Sequence, residues 1–307
     1  MYTEFSSSDC DELSESLSNT EQEFRQLEAG KFFGQWRLLE LPGVSIVKDR
    51  ISHGVYNSAA ISDGFSVVFI PIRQPGTLNF NGHSWDDRCI FMGRQETQQI
   101  LAIPNDFASY TVEFDLSCLH SMAEALGISL PPQRSDMDVI TNSAVRDAAT
   151  QLIAQAYCTH ADSSRFTPQQ RADRLVAGWL NVLRETAGEL ETADISTSHQ
   201  RRRAALDAAN CMLQHLGRDL SLANLCQLVG VTDRTLRNGF QEMFGMSPNR
   251  WWKVERLTAA RRDLKATDGR PGQVGTIASK YGFTQFAHFA TDYRKQFGES
   301  PSETLRR

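Results

Sequence analysis

The sequence has no run of about 18 uninterrupted apolar residues, the length that a membrane-spanning helix needs. Its opening stretch, MYTEFSSSDCDELSESLSNTEQEF, has no apolar core of the kind a secretory signal carries. It contains no Cys-x-x-Cys pair. The six cysteines (Cys10, Cys89, Cys118, Cys158, Cys211 and Cys226) are scattered, which predicts free thiols in a reducing cytosol and not a disulfide framework. Each then serves as a small buried hydrophobe. There is no His-x-His, and His53 and His83 have no third ligand at a recognisable spacing, so neither a metal nor a cofactor is expected. A G-x-S-x-G elbow, a P-loop and a dinucleotide fingerprint are all missing. GRPGQVG at 269–275 is glycine-rich, but it lies between two helical stretches, where a connection explains it. Asp86 and Asp87 are adjacent and would point to opposite faces of a strand. These absences predict that the protein is not an enzyme.

What is present is an ordinary globular composition, with 40% hydrophobic and 22% charged residues. A length of 307 residues suggests about two domains. The net charge of −5 hides an asymmetry. Residues 1–198 carry 14 Lys and Arg against 27 Asp and Glu, whereas residues 199–307 carry 18 against 10. A basic C-terminal module on an acidic N-terminal one points to a polyanionic partner for the former.

The expected organisation begins with a disordered lead-in over residues 1–22, acidic and Ser-rich. Between Phe32 and Asp115, short apolar runs such as GVSIVKD, GFSVVFIPI, GTLNFNG and SYTVEFDL are broken by LPG, SDG, QPG and NGH. They read as strands of a compact sheet or barrel at about 32–116. Helices follow over about 117–190. In one, Val145, Ala149, Leu152 and Ala156 recur at helical spacing; in the next, Leu175, Trp179, Val182 and Leu183 share a face. ELETADISTSHQ is polar and unpatterned, and a linker is placed at 191–200.

One phrase occurs twice: FGMSP ending at Pro248 and FGESP ending at Pro301. Upstream of each, Leu225, Gly230 and Val231 correspond to Ile277, Gly282 and Phe283, and Leu236, Phe240 and Phe244 to Phe289, Tyr293 and Phe297. Each unit is a short helix, a Gly-containing turn and a longer helix, the grammar of a helix-turn-helix. Thr232 is placed to cap the longer helix of the first unit. The units span about 221–245 and 273–298, and a connector helix at about 248–265 joins them, with Trp252, Leu257, Ala260 and Leu264 on its apolar face.

Residues 201–307 resemble the DNA-binding domain of the AraC/XylS family of transcription regulators. The connector ERLTAARRDL and the closing IASKYGFTQFAHFATDYRKQFGESPSETLRR carry the likeness. It implies a bacterial, cytoplasmic regulator whose two helix-turn-helix units read successive major grooves of double-stranded DNA. More loosely, the strand run resembles the cupin-like small β-barrel sensors of that family, and among them ethanolamine-operon-like regulators. The fold class expected is therefore two-domain α+β: a cupin-like barrel with helices at 23–190, then an all-α domain. The resemblance also implies a homodimer, contact with RNA polymerase if the protein activates, and a small-molecule effector. The alternative is an N-terminal protein-docking and dimerisation module without an effector. The helices at about 143–160 and 168–188 are the dimerisation candidates, or else they pack on the barrel.

Family members read bases from positions flanking a central apolar anchor of the recognition helix. With Leu236 as anchor, these positions are Arg234, Arg237 and Asn238. Arginine pairs with guanine and asparagine with adenine. In the second unit Phe286 and Ala287 depart from the polar pattern, and Gln285, His288 and Thr291 are the base-contact candidates around Phe289. Thr232, Arg294 and Lys295 are candidates for phosphate contact. Arg256, in the connector, is either a structural ion pair or a DNA contact. Phe69, Phe80, Trp85 and Phe91 are candidates to line an effector pocket, or else are plain core.

Overall fold

The computed structural model describes residues 1–17, 22–94, 98–130, 137–160, 166–186, 190–191, 199–218, 220–270 and 272–306. The chain begins with β1 (Tyr2–Ser7), α1 (Cys10–Glu15) and β2 (Gln22–Gln26). Then come β3 (Gly34–Leu41), β4 (Val44–Ile51), β5 (Val55–Ala60), β6 (Phe65–Arg73), β7 (Leu78–Phe80) and β8 (His83–Trp85). After these are β9 (Ile90–Arg94), β10 (Gln98–Ile103), β11 (Phe107–Asp115), α2 (Leu116–Leu126) and β12 (Met137–Ile140). The N-terminal part ends with α3 (Ser143–His160), α4 (Pro168–Glu185) and β13 (Leu190–Glu191).

These strands form two sheets, where a closed small barrel was expected. One has eight strands in the order β1-β3-β4-β11-β6-β9-β12-β13; the other has five, β2-β5-β10-β7-β8. Both keep open edges among the described residues. Period-two alternation gives each sheet two faces. On the large sheet, Ile46, Val68, Ile70, Val112 and Phe114 face α2, α3 and α4. Phe114 stacks on Trp179 at 6.0 Å, and Ala149, Ile153, Leu175 and Leu183 complete that layer. The apolar faces of α3 and α4 are thus used against the sheet. The opposite face, with Trp36, Ile51, Phe69 and Phe107, packs on Phe24, Val55, Phe80 and Leu101 of the five-stranded sheet.

The first 17 residues are ordered, contrary to the lead-in expected over 1–22. β1 pairs antiparallel with β3, and Phe5 stacks on Trp36 at 5.8 Å. Asp9 caps α1 by accepting from the Asp11 and Glu12 amides, and Cys10 and Leu13 are buried. A few apolar residues at the right phase outweigh an acidic, Ser-rich composition once a strand edge is available to them. Residues 18–21 and 192–198, the latter most of the expected linker, lie outside the described residues.

The C-terminal part is helical: α5 (His199–Gln214), α6 (Leu222–Val229), α7 (Asp233–Phe244), α8 (Pro248–Lys265), α9 (Gln273–Lys280), α10 (Phe286–Phe297) and α11 (Pro301–Thr304). One core holds α5–α8 around Leu236, Phe240, Phe244 and Trp251. A second holds α8–α11 around Leu257, Leu264, Phe289 and Tyr293. α8 belongs to both and so fixes the two units to one another.

Candidate nucleic-acid interface

The repeated phrase is a stop followed by a start. Gly245 (φ +67°) and Gly298 (φ +73°) are left-handed C-caps that end α7 and α10. Two residues on, Ser247 accepts from the Arg250 amide and Ser300 from the Glu303 amide, capping α8 and α11. Pro248 and Pro301 then take the first helical position, where no amide hydrogen is needed.

α7 is two-faced. Leu236, Gly239, Phe240, Met243 and Phe244 are buried. Arg234, Arg237 and Asn238 are exposed, and their spacing of three and four puts them on one face of the first two turns. Arg234 makes no ion pair among the described residues. Arg237 is held by Asp233 one turn back, through its Nε and through Nη2 at 3.2 Å. To turn that edge of the guanidinium to another acceptor it must release the carboxylate, while Nη1 is not used in this pair. Thr232 is the N-cap: its Oγ1 accepts from the Thr235 amide at 3.2 Å, which aims the first turn's remaining amides outward.

α10 exposes Ala287, His288, Thr291, Arg294 and Lys295, and Phe286 is 51% exposed at its start. Gln285 occupies the N-cap position but makes no capping bond, so its amide is not committed to the helix end. The Thr291 hydroxyl donates to the Ala287 carbonyl at 2.9 Å, which ties it to its own helix. The second face therefore offers one amide, one imidazole and two flanking cations, a thinner set than the first.

Arg256 acts within the protein. Its Nε donates to the Tyr281 carbonyl, and its guanidinium lies over Phe283 at 4.7 Å. It braces α8 against the turn between α9 and α10. Gly282 in that turn has φ +72°, and a Cβ there would collide with the guanidinium.

A family description, Helix-turn-helix domain, matches residues 225–307. The chain is 38% identical over 99 residues to a probable thc operon regulatory protein of Rhodococcus erythropolis, covering 32% of this chain and 30% of that one. It is 34% identical over 93 residues to the XylDLEGF operon transcriptional activator of Pseudomonas putida, covering 30% of this chain and 29% of that one. The C-terminal third is an AraC-type helix-turn-helix domain. A crystal structure of a probable AraC family transcriptional regulator from Rhodopseudomonas palustris shares 36% identity with it, covering 34% of this chain and 96% of that chain, with a TM-score of 0.32. The curated relatives are regulators, not enzymes, and the chain spans about 30% of their length. No helix among the described residues is long and apolar enough to cross a membrane.

The AraC-type domain is docked on the N-terminal part through α8. Arg25 Nη1 lies 2.8 Å from Glu255 Oε2, Arg261 Nη1 2.7 Å from Asp9, Arg262 Nη2 2.7 Å from Asp11, and Arg250 Nη2 3.0 Å from Glu28. Lys265 also pairs with Asp9. Gln26 and Gln296 exchange side-chain amide to carbonyl bonds, both at 3.0 Å. Burial pushes the Asp9 carboxyl up, but Arg261 and Lys265 outweigh it and hold the pKa below the usual value. At Glu255 burial prevails and raises the pKa to about 7, with Arg25 opposing; its Oε1 has no hydrogen-bond partner among the described residues. Asp9 and Asp11 come from the stretch whose composition suggested disorder, which is why sequence reasoning missed their part of the contact. The signal was the charge complement between residues 9–28 and the connector.

α7 also touches the outer face of the five-stranded sheet. Tyr56 packs against Phe244 at 5.4 Å, and Leu27, Ile100 and Ala102 join the same core. On the sheet's inner face a cavity of about 120 Å³ lies against the large sheet. Phe69, Phe80 and Phe91 line it. Trp85 does not, and packs instead against the edge of Phe91 at 5.7 Å. Trp36 and Asp49 line it and were not anticipated. Asp49 was visible as a charge in phase with Val47 and Ile51, the two apolar residues on its side of β4. No cluster of His, Cys, Asp or Glu among the described residues could hold a metal.

Proposed function

We propose that this protein is a sequence-specific transcription regulator that reads two successive major grooves, the first through Arg234, Arg237 and Asn238 on α7. The second is read more weakly, through Gln285, His288 and Thr291, with Thr232, Arg294 and Lys295 on phosphates. The observation that carries the reading is the exposed trio on α7, set on a helix whose other face is anchored in the core. A bidentate arginine to guanine contributes about 1–3 kcal/mol of discrimination. In gel shifts on the gene's own upstream DNA, Arg234→Ala and Arg237→Ala should each weaken binding about tenfold or more and relax base preference at one position. Unchanged affinity and preference in both variants refute this reading head.

We infer further that the N-terminal part modulates DNA binding in response to a small molecule. The cavity and α7 lie on opposite faces of one thin sheet, which supports a metabolite sensor over a docking module. Homodimerisation and contact with RNA polymerase belong to the same proposal. Because α3 and α4 spend their apolar faces on the large sheet, an interface through them would use the groove of Leu152, Phe166, Arg171 and Arg174. The likeness of the strand run to a cupin-like sensor of the ethanolamine-operon kind names no effector. Sedimentation of Leu152→Glu beside the parent chain tests the interface: a change from dimer to monomer supports it, and an unchanged mass removes it.

A further inference from the structure

The chemistry of the cavity wall is lopsided. Among the described lining residues there are two carboxylates, Asp49 and Glu113, and no Lys, Arg or His. Asp49 lies on the inner face of the large sheet, in register between Trp36 on β3 and Ser109 on β11. It accepts from the Ser109 hydroxyl at 2.5 Å, and no cation pairs with it among the described residues. Burial raises its pKa to about 6, against the Ser109 bond, so it is a desolvated carboxylate that is ionised at neutral pH. Asn57 lines the same cavity from the facing sheet, and its Oδ1 is buried without a hydrogen-bond partner among the described residues. β4 passes into β5 through a corner at His53, and Asp49 and Asn57 stand four residues to either side of it. Two acceptors thus line the space from the two facing sheets. Glu113, whose pKa burial also raises, lines both this cavity and the surface cleft beside Phe65. Gln99 and Thr111 also line it, and most of the remaining wall is aromatic and aliphatic, with Phe80 and Phe91 stacked at 4.7 Å. Gln22 Nε2, a donor with no hydrogen-bond partner among the described residues, lies at the lining too and suits an acceptor on the guest.

At about 120 Å³ the cavity is somewhat smaller than the dry apolar cavity of about 150 Å³ that admits benzene, so a single ring sets the upper size of a guest. We propose that this cavity binds a small organic cation: an apolar body of about one ring carrying a protonated amine, the amine directed to Asp49 and Asn57. This rests on the N-terminal part being a small-molecule sensor and adds the charge of the molecule sensed. An ammonium supplies the charge that Asp49 lacks and the donor that Asn57 Oδ1 lacks. A carboxylate guest would bring a further acid into a space that already holds two and offers no cation among the described lining residues.

The test is thermal melting of the full chain at neutral pH with three probes of one ring and similar size: benzylamine, benzyl alcohol and benzoate. Benzylamine at ten times its Kd should raise the Tm by about 2 °C or more. The alcohol should raise it by less than half as much, and benzoate should not raise it. Asp49→Asn should abolish the preference for the amine. The parent chain's ranking stands by itself should that variant fail to fold. Equal shifts with amine and alcohol, a larger shift with benzoate, or a preference that survives Asp49→Asn each overturn the cationic class and leave the sensor reading in place. No shift with any probe at millimolar concentration overturns both.

Discussion

Single side chains carry most of what is specific to this protein, and Asp49 shows how. A carboxylate whose pKa is raised by burial is bound to a proton more tightly in the folded chain than in the unfolded one. Its contribution is neutral below the unfolded value of 3.8, becomes unfavourable as pH rises toward about 6, and is constant above. Asp49→Asn should therefore stabilise the protein at pH 8 by on the order of 2–3 kcal/mol, with the gain vanishing near pH 4. Urea unfolding at both pH values checks it; an equal gain at each would show that Asp49 is not desolvated. Residues of this kind were legible only in part. Phe69, Phe80 and Phe91 were picked for being aromatic and line the cavity, but Trp85, picked on the same ground, sits behind Phe91. Composition cannot tell which side of a neighbour a ring lies on. Arg234 and Arg237 were proposed from the resemblance, as positions flanking Leu236, and both are exposed on α7, whereas the hold of Asp233 on Arg237 depends on rotamers that the sequence leaves open. Freeing Arg237 by Asp233→Asn should raise operator affinity a few-fold in a low-salt gel shift.

Secondary-structure elements were easier to read than side chains, and for a physical reason. Helix ends are written locally: a left-handed glycine, then a serine cap, then proline, within five residues. The FG-SP phrases mark α7 to α8 and α10 to α11 in this way. Strand runs were visible too, but whether strands close into a barrel or open into two sheets depends on pairings far apart in sequence, such as β1 with β3 or β12 with β9. The brace between α8 and the second unit is equally non-local. It predicts that Gly282→Ala costs more than about 1 kcal/mol, because the left-handed turn and the Arg256 guanidinium both resist a Cβ. Thermal melting measures the loss, and a DNase footprint should fade over the second half of the operator while the first half persists.

At the scale of the whole molecule, the split between an acidic and a basic part was plain in the sequence and implied a polyanion. The acidic part of the chain itself already occupies one side of the basic one, through Asp9, Asp11 and Glu28 against Arg261, Arg262 and Arg250. An Asp9→Asn, Asp11→Asn double variant should loosen this contact, and small-angle scattering should report a larger radius of gyration than for the parent chain at the same salt. An unchanged radius would show that the apolar contact around Tyr56 and Phe244 is sufficient to hold the parts together. The five-stranded sheet, with the cavity on one face and α7 on the other, carries a last consequence. Two ligands that meet across one wall are thermodynamically reciprocal: if a guest in the cavity changes operator affinity by some factor, operator DNA must change the guest's affinity by that same factor. Titrating one ligand in the presence and absence of the other measures the factor twice, and the two values have to agree.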